Sequence, residues 1–146
     1  MSISADDAIT SIISCTVAGW GAQNGSTSAS TQLMYLHKAI YNQTLCGEIY
    51  SDLDNITVES NMVCATTRQL APSGCVGDGG NPLECLRHPI YPGRLMGLLT
   101  KTNDCTDSNN PEIYTRVNAY YGWVHQVINH IAPASTPGAA SALQPG

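Results

Sequence analysis

Apolar residues along this chain fall in short runs broken by polar, Gly-rich and Pro-rich stretches, the spacing of strands and turns rather than of long helices. The run Cys15-Thr16-Val17-Ala18-Gly19-Trp20-Gly21 is β-branched and apolar and stops at Gly, which predicts a strand entering a turn. Residues 22–31 hold Asn-Gly and many Ser and Thr, and predict a surface loop. A second strand is predicted over residues 33–40 and a short helix over 42–50, with Thr44 near its start. Residues 83–86 and 95–100 read as two strands joined by a Pro- and Gly-rich turn at 88–93. Over 119–131 the apolar residues Tyr120, Trp123, Val124, Val127, Ile128 and Ile131 recur at three and four, the period of an amphipathic helix. Residues 3–13 show little periodicity and are expected to form a linker or edge segment. The uncharged Ala-, Pro-, Ser- and Gly-rich stretch 132–146 is expected to be a flexible tail. The domain expectation is therefore one folded unit at 15–131 between a linker at 1–14 and that tail.

A chain of 146 residues with 42% hydrophobic and 12% charged residues has the length and composition of a single globular domain with a real core. Its net charge of -5 and its six thinly spread Lys and Arg argue against nucleic acid or an anionic membrane as partner. No apolar run reaches the roughly 18 residues of a membrane span. The six Cys include no Cys-x-x-Cys pair, which favours disulfides and an oxidising compartment over a zinc site. Sequence alone leaves all fifteen disulfide pairings open. Asn24, Asn42 and Asn55 each open an Asn-x-Ser/Thr triplet and are candidate glycosylation sites. Residues 1–14 carry Asp6 and Asp7, no Lys or Arg and no apolar core, unlike a signal peptide, so the chain is expected to be the later part of a longer secreted protein. His37 falls in a strand, His88 in a turn, and His125 and His130 five apart on the last helix, where they face different ways. No metal or cofactor is expected.

The chemistry concentrates in Gly74-Cys75-Val76-Gly77-Asp78-Gly79-Gly80-Asn81-Pro82-Leu83. A Gly-rich turn of this kind can aim several backbone N–H groups into one concavity, a nest for an anion or a developing oxyanion. These ten residues resemble the nucleophile loop of the chymotrypsin/trypsin-like serine proteases, Cys-x-Gly-Asp-Ser-Gly-Gly-Pro. Gly79 stands where the family has its Ser, and Asn81 where it has a Gly. The resemblance extends to the Cys-x-x-x-Gly-Trp-Gly strand at Cys15, to Ser60-Asn61-Met62-Val63-Cys64-Ala65, which is similar to the family's Asn-Met-x-Cys-Ala, and to Pro111-Glu112-Ile113-Tyr114-Thr115-Arg116-Val117, similar to Pro-Gly-Val-Tyr-Thr-Lys-Val. The closing helix carries a Trp as the family's does.

The implied fold is all-β: a six-stranded antiparallel Greek-key barrel, the second barrel of the trypsin-like fold, with a C-terminal helix. The implied disulfides are Cys15–Cys85, Cys46–Cys64 and Cys75–Cys105. By the same resemblance Gly77 and Gly79 hold the oxyanion-hole positions, and Asp78 matches the carboxylate that pairs with a new N-terminus on zymogen activation. Without such an N-terminus, Asp78 is expected to cap backbone N–H groups instead. Ser73 matches the base of the substrate pocket. Thr102 and Glu112 fall where Gly lines its walls, and Thr100 and Lys101 replace the Ser and Trp of the peptide-binding strand. Added bulk should narrow that pocket, and a Glu112 carboxylate buried there without a partner would be costly. The family's catalytic His and Asp lie on its first barrel, which nothing before Cys15 can encode. The expectation is a non-catalytic serine protease homologue, extracellular, that binds a protein partner. The alternatives are one half of an endopeptidase completed by another chain, and a truncated product without its own role.

Overall fold

The structure, a computed structural model, describes residues 14–22, 28–67, 76–86, 93–102 and 110–131. Strands β1 (Ser14–Gly19), β2 (Met34–Ile40), β3 (Met62–Thr67), β4 (Pro82–Leu86), β5 (Arg94–Lys101) and β6 (Glu112–Arg116) close into an antiparallel barrel in the order β1-β2-β3-β6-β5-β4. Helix α1 (Gln43–Asp54) sits between β2 and β3. A 3₁₀ turn (Val117–Tyr120) leads into the closing helix α2 (Tyr121–Ile131). The all-β barrel with a C-terminal helix is what the sequence implies. The expected linker and tail, apart from Ser14, lie outside the described residues.

Alternation along the strands divides the interior in two. Val63, Ala65, Leu83, Met96, Leu99 and Tyr114 point into the barrel with the Cys15–Cys85 bridge, which joins directly paired residues of β1 and β4. The intervening Cys64 and Ile113 point outward, where Cys46 and Tyr50 of α1 cover them and the Cys46–Cys64 bridge fastens the helix to β3. The bridges span 70 and 18 residues, so loop-closure entropy assigns them about 4 and about 3 kcal/mol. The third implied pair, Cys75–Cys105, lies outside the described residues.

Helix α1 begins where the Asn42 side chain accepts the Thr44 and Leu45 N–H groups at 2.9 and 3.1 Å. It runs four residues past the expected end at Tyr50 and stops at Asn55, whose φ of 52° is left-handed and whose N–H returns to the Tyr50 carbonyl. Gln43 continues the ladder with its side chain, donating to the Met62 carbonyl and accepting the Cys64 N–H, both at 2.9 Å. At the other end of the chain Val124 and Val127 are half-buried, whereas Trp123 and Ile128 are exposed. The apolar face of α2 is thus only partly covered.

Candidate active-site loop and pocket

Residues 76–81 form a tight loop ahead of β4. Gly77 and Gly80 adopt φ of 97° and 85°, left-handed conformations that favour Gly. The loop is stitched to β5 by Gly80 N–H to the Leu99 carbonyl at 2.8 Å and Leu99 N–H to the Asn81 carbonyl at 2.9 Å. Gly79 is different. Its backbone is not left-handed, and among the described residues a Cβ placed on it would meet nothing within 4 Å. The fold therefore accepts a side chain at the family's nucleophile position.

The Asp78 carboxylate turns toward the end of β1. Its Oδ1 accepts the Gly21 N–H at 2.9 Å and the Asn81 carboxamide Nδ2–H at 2.8 Å. This explains the Gly-Trp-Gly sequence. A Cβ at Gly19 would lie 2.0 Å from Asn81 Nδ2, and one at Gly21 would lie 2.2 Å from Asp78 Oδ2. Asn81, which the sequence marks only as a departure from the family's Gly, is a donor holding that carboxylate in place.

Glu112 differs from expectation. Inward parity on β6 carries its side chain into the barrel, where it meets Lys38 of β2 at 2.7 Å. The Tyr114 hydroxyl donates to its other oxygen. Side-chain exposure is 0% for Lys38 and 2% for Glu112, so this is a dry ion pair and not an unpartnered carboxylate. Thr67 Oγ1 gives the ammonium a further, longer contact at 3.4 Å. Burial first, and then the Glu112 charge and hydrogen bond, push the Tyr114 phenol far above its usual range. Tyr50, whose hydroxyl donates to the Pro111 carbonyl at 2.6 Å, is raised to about 12 by burial and then by the Asp54 and Glu112 charges.

The strand that binds peptide in the family is also altered. Thr100 turns its hydroxyl onto β6, sharing a hydrogen with Thr115 Oγ1 at 2.9 Å and accepting the Thr115 N–H at 3.0 Å. Lys101 reaches across to Asp54 of α1 at 3.2 Å. Thr102 is half-buried. Sequence reasoning missed Lys38, Asp54 and the bonding role of Asn81. A Lys sharing the strand parity of Leu36 and Ile40 was the available signal for the first.

His37 is exposed on β2, 3.4 Å from Thr16 Oγ1 and edge-on to Tyr35, and His125 stacks on Tyr121. Their partners lie on β1, β2 and α2 rather than in the Gly-rich loop. Among the described residues no group of three His, Cys, Asp or Glu is placed to hold a metal, and no helix is long and apolar enough to cross a membrane. Ser73, Cys75, His88, Cys105 and Asn24 lie outside the described residues.

A closed antiparallel barrel with a capping helix, carrying a Gly-Asp-Gly-Gly loop beside a Gly-Trp-Gly strand, defines the barrel type of the chymotrypsin-like proteases. The comparisons with known proteins agree. The family model described as Trypsin matches residues 3–124, and the chain belongs to that family. Chymotrypsin-like elastase family member 1 of Rattus norvegicus is 35% identical over 116 residues, covering 78% of this chain and 42% of the relative. The Homo sapiens protein of the same name is 34% identical over 116 residues, with 78% and 43% covered. Kallikrein-11 of Mus musculus is 32% identical over 124 residues, 80% of this chain and 40% of the relative. The chain thus spans less than half the length of these relatives.

Proposed function

We propose that this chain is a non-catalytic member of the trypsin family that acts extracellularly by binding protein. One observation carries the reading: the nucleophile position is occupied by Gly79, in a place where the backbone and the surrounding space would admit Ser. Acyl transfer in this family needs an attacking oxygen and a base to take its proton. Of the described His residues, His37 and His125 make their contacts on β1, β2 and α2 rather than at the Gly-rich loop. The peptide-binding strand points the same way, because Lys101 is committed to Asp54 of α1. The two disulfides suit an oxidising, extracellular setting. Exposed Trp20, Tyr35 and Val76, at 58%, 65% and 66%, offer apolar contact area for a partner.

The test is Gly79→Ser followed by a fluorophosphonate probe, beside the parent chain and an active trypsin-like control. A Ser without a neighbouring base keeps an alcohol's low nucleophilicity, so no labelling is expected on a minute timescale. Stoichiometric labelling would mean that a base is supplied within this chain and would sink the non-catalytic reading. The second reading, one half of an endopeptidase completed by another chain, draws on the length of the relatives left unmatched. It predicts peptide-bond hydrolysis once that partner is added, through a nucleophile other than position 79, and Gly79 weighs against it.

A further inference from the structure

Helix α1 carries an Asn-x-Thr triplet at each end: Asn42-Gln43-Thr44 at its start and Asn55-Ile56-Thr57 just past its finish. We propose that Asn42 and Asn55 both carry N-linked glycans, and that the two glycans cover the outer face of α1.

Neither triplet has Pro in the middle, and all four of Asn42, Thr44, Asn55 and Thr57 are exposed. Their carboxamide nitrogens are available. Asn42 caps the helix through Oδ1 alone, so a sugar on Nδ2 leaves the cap intact. Asn55 ends the helix through its backbone, with φ of 52° and its N–H on the Tyr50 carbonyl. In the transfer, Nδ2 forms a bond to the anomeric carbon of a lipid-pyrophosphate-linked oligosaccharide. The carbon–oxygen bond to pyrophosphate breaks, the lipid pyrophosphate leaves, and the nitrogen loses one proton. No oxidant or reductant enters. The compartment follows from a separate observation: the Cys46–Cys64 bridge, which ties the same helix to β3, suits the oxidising secretory route in which this transfer occurs.

The surface between the two asparagines is what such glycans would occupy. A groove of about 640 Å³ runs beside α1, lined by Glu48, Asp52 and Val58 together with Thr44 and Thr57, the hydroxyl residues of both triplets. Leu45 and Leu53 on the same helix are 48% and 56% exposed. Twelve helical residues span about 18 Å, short enough for glycans rooted at both ends to overhang the whole face. Helix α1 packs over Cys64 and Ile113, on β3 and β6. In the closed strand order β6 lies across the barrel from β1, which leads into Trp20. Resting on the protein-binding reading above, the glycans would leave the Trp20 side open to a partner.

The test is peptide mapping of the chain secreted from cultured animal cells behind a cleavable leader, after enzymatic deglycosylation in ¹⁸O-water. Asn42 and Asn55 should each convert to ¹⁸O-labelled Asp. Thr44→Val and Thr57→Val should each abolish one conversion, whereas Thr44→Ser should keep it. Recovery of the chain with Cys46–Cys64 formed but either asparagine unmodified would overturn the proposal. Translation of an Asn24→Gln form into microsomes provides a readout that does not depend on folding: two glycan-sized mobility shifts are expected, and none or one would overturn it. Both readouts are independent of probe labelling at position 79, so the two proposals can fail separately.

Discussion

Neutralising Glu112 should be among the most damaging single changes to this barrel, and neutralising Lys38 as well should repair most of the damage. The pair is 2.7 Å long with side chains 0% and 2% exposed, so neither charge has water to fall back on. Removing one member of such a pair costs about 3 to 5 kcal/mol, because the other charge remains buried and uncompensated. That is a large share of the roughly 5 to 15 kcal/mol that holds a domain folded. Glu112→Gln keeps the volume and an acceptor for the Tyr114 hydroxyl, so its cost isolates the charge. Lys38→Met keeps most of the stem volume. If the intact pair nets little against an apolar replacement, the double variant should sit within about 1 to 2 kcal/mol of the parent. The assay is guanidinium unfolding with disulfides intact, followed by far-ultraviolet circular dichroism, since Trp20 and Trp123 are already 58% and 63% exposed and report poorly on burial. Single variants within about 1 kcal/mol of the parent, or a double variant showing the sum of both losses, would refute the coupling.

Three further outcomes are expected. Asn81→Gly removes a donor to the Asp78 carboxylate and should cost about 1.5 to 3 kcal/mol, while Gly21→Ala should displace that carboxylate; amide exchange at Gly21 reads both, and unchanged protection would contradict the geometry. Tyr50 titrates at about 12 in the folded chain against 10.0 ordinarily, so the fold holds its proton more tightly than the unfolded chain. Its contribution is complete below pH 10 and lost between about 10 and 12, so Tyr50→Phe should lessen the fall in stability across that window, leaving the share of the raised Tyr114 phenol. The isolated chain should self-associate at micromolar concentration through its exposed apolar residues, among them Trp20, Tyr35, Trp123 and Ile128; a monodisperse monomer by light scattering that binds no hydrophobic dye would contradict this.

The strands were legible because each carries enough β-branched and apolar residues between turn signals, and β1, β2 and β5 match their expected positions within a residue or two. Their order round the barrel was not, since alternation tells which way a side chain points but not which strand it faces. The family likeness implied a Greek-key barrel, and the structure supplies the order round it. Glu112 and Lys38 show the limit. They are 74 residues apart and on β6 and β2, which are not even neighbours, so only closure of the barrel brings their inward-facing side chains together. A Lys in a strand reads by default as solvent-facing. The end of α1 was misplaced for a local reason: the polar run Ser51-Asp52-Leu53-Asp54 looks like a loop, and the actual stop is the left-handed backbone of Asn55. The Gly-Trp-Gly match was visible, but its cause was not, because the bulk that excludes Cβ atoms belongs to Asp78 and Asn81, some sixty residues downstream.

The Cys15–Cys85 bridge bears on how the chain would meet proteolysis. Its cysteines stand 70 positions apart and enclose β2, α1, β3 and the Gly-rich loop, with the Cys46–Cys64 bridge nested inside. Any single backbone cut between Cys15 and Cys85 therefore leaves both products covalently joined, and most of the barrel's pairing can persist across the nick. Among proteases, such a chain would be clipped without being released. The cut would appear as two bands only after reduction, and surface epitopes would outlast the integrity of the backbone.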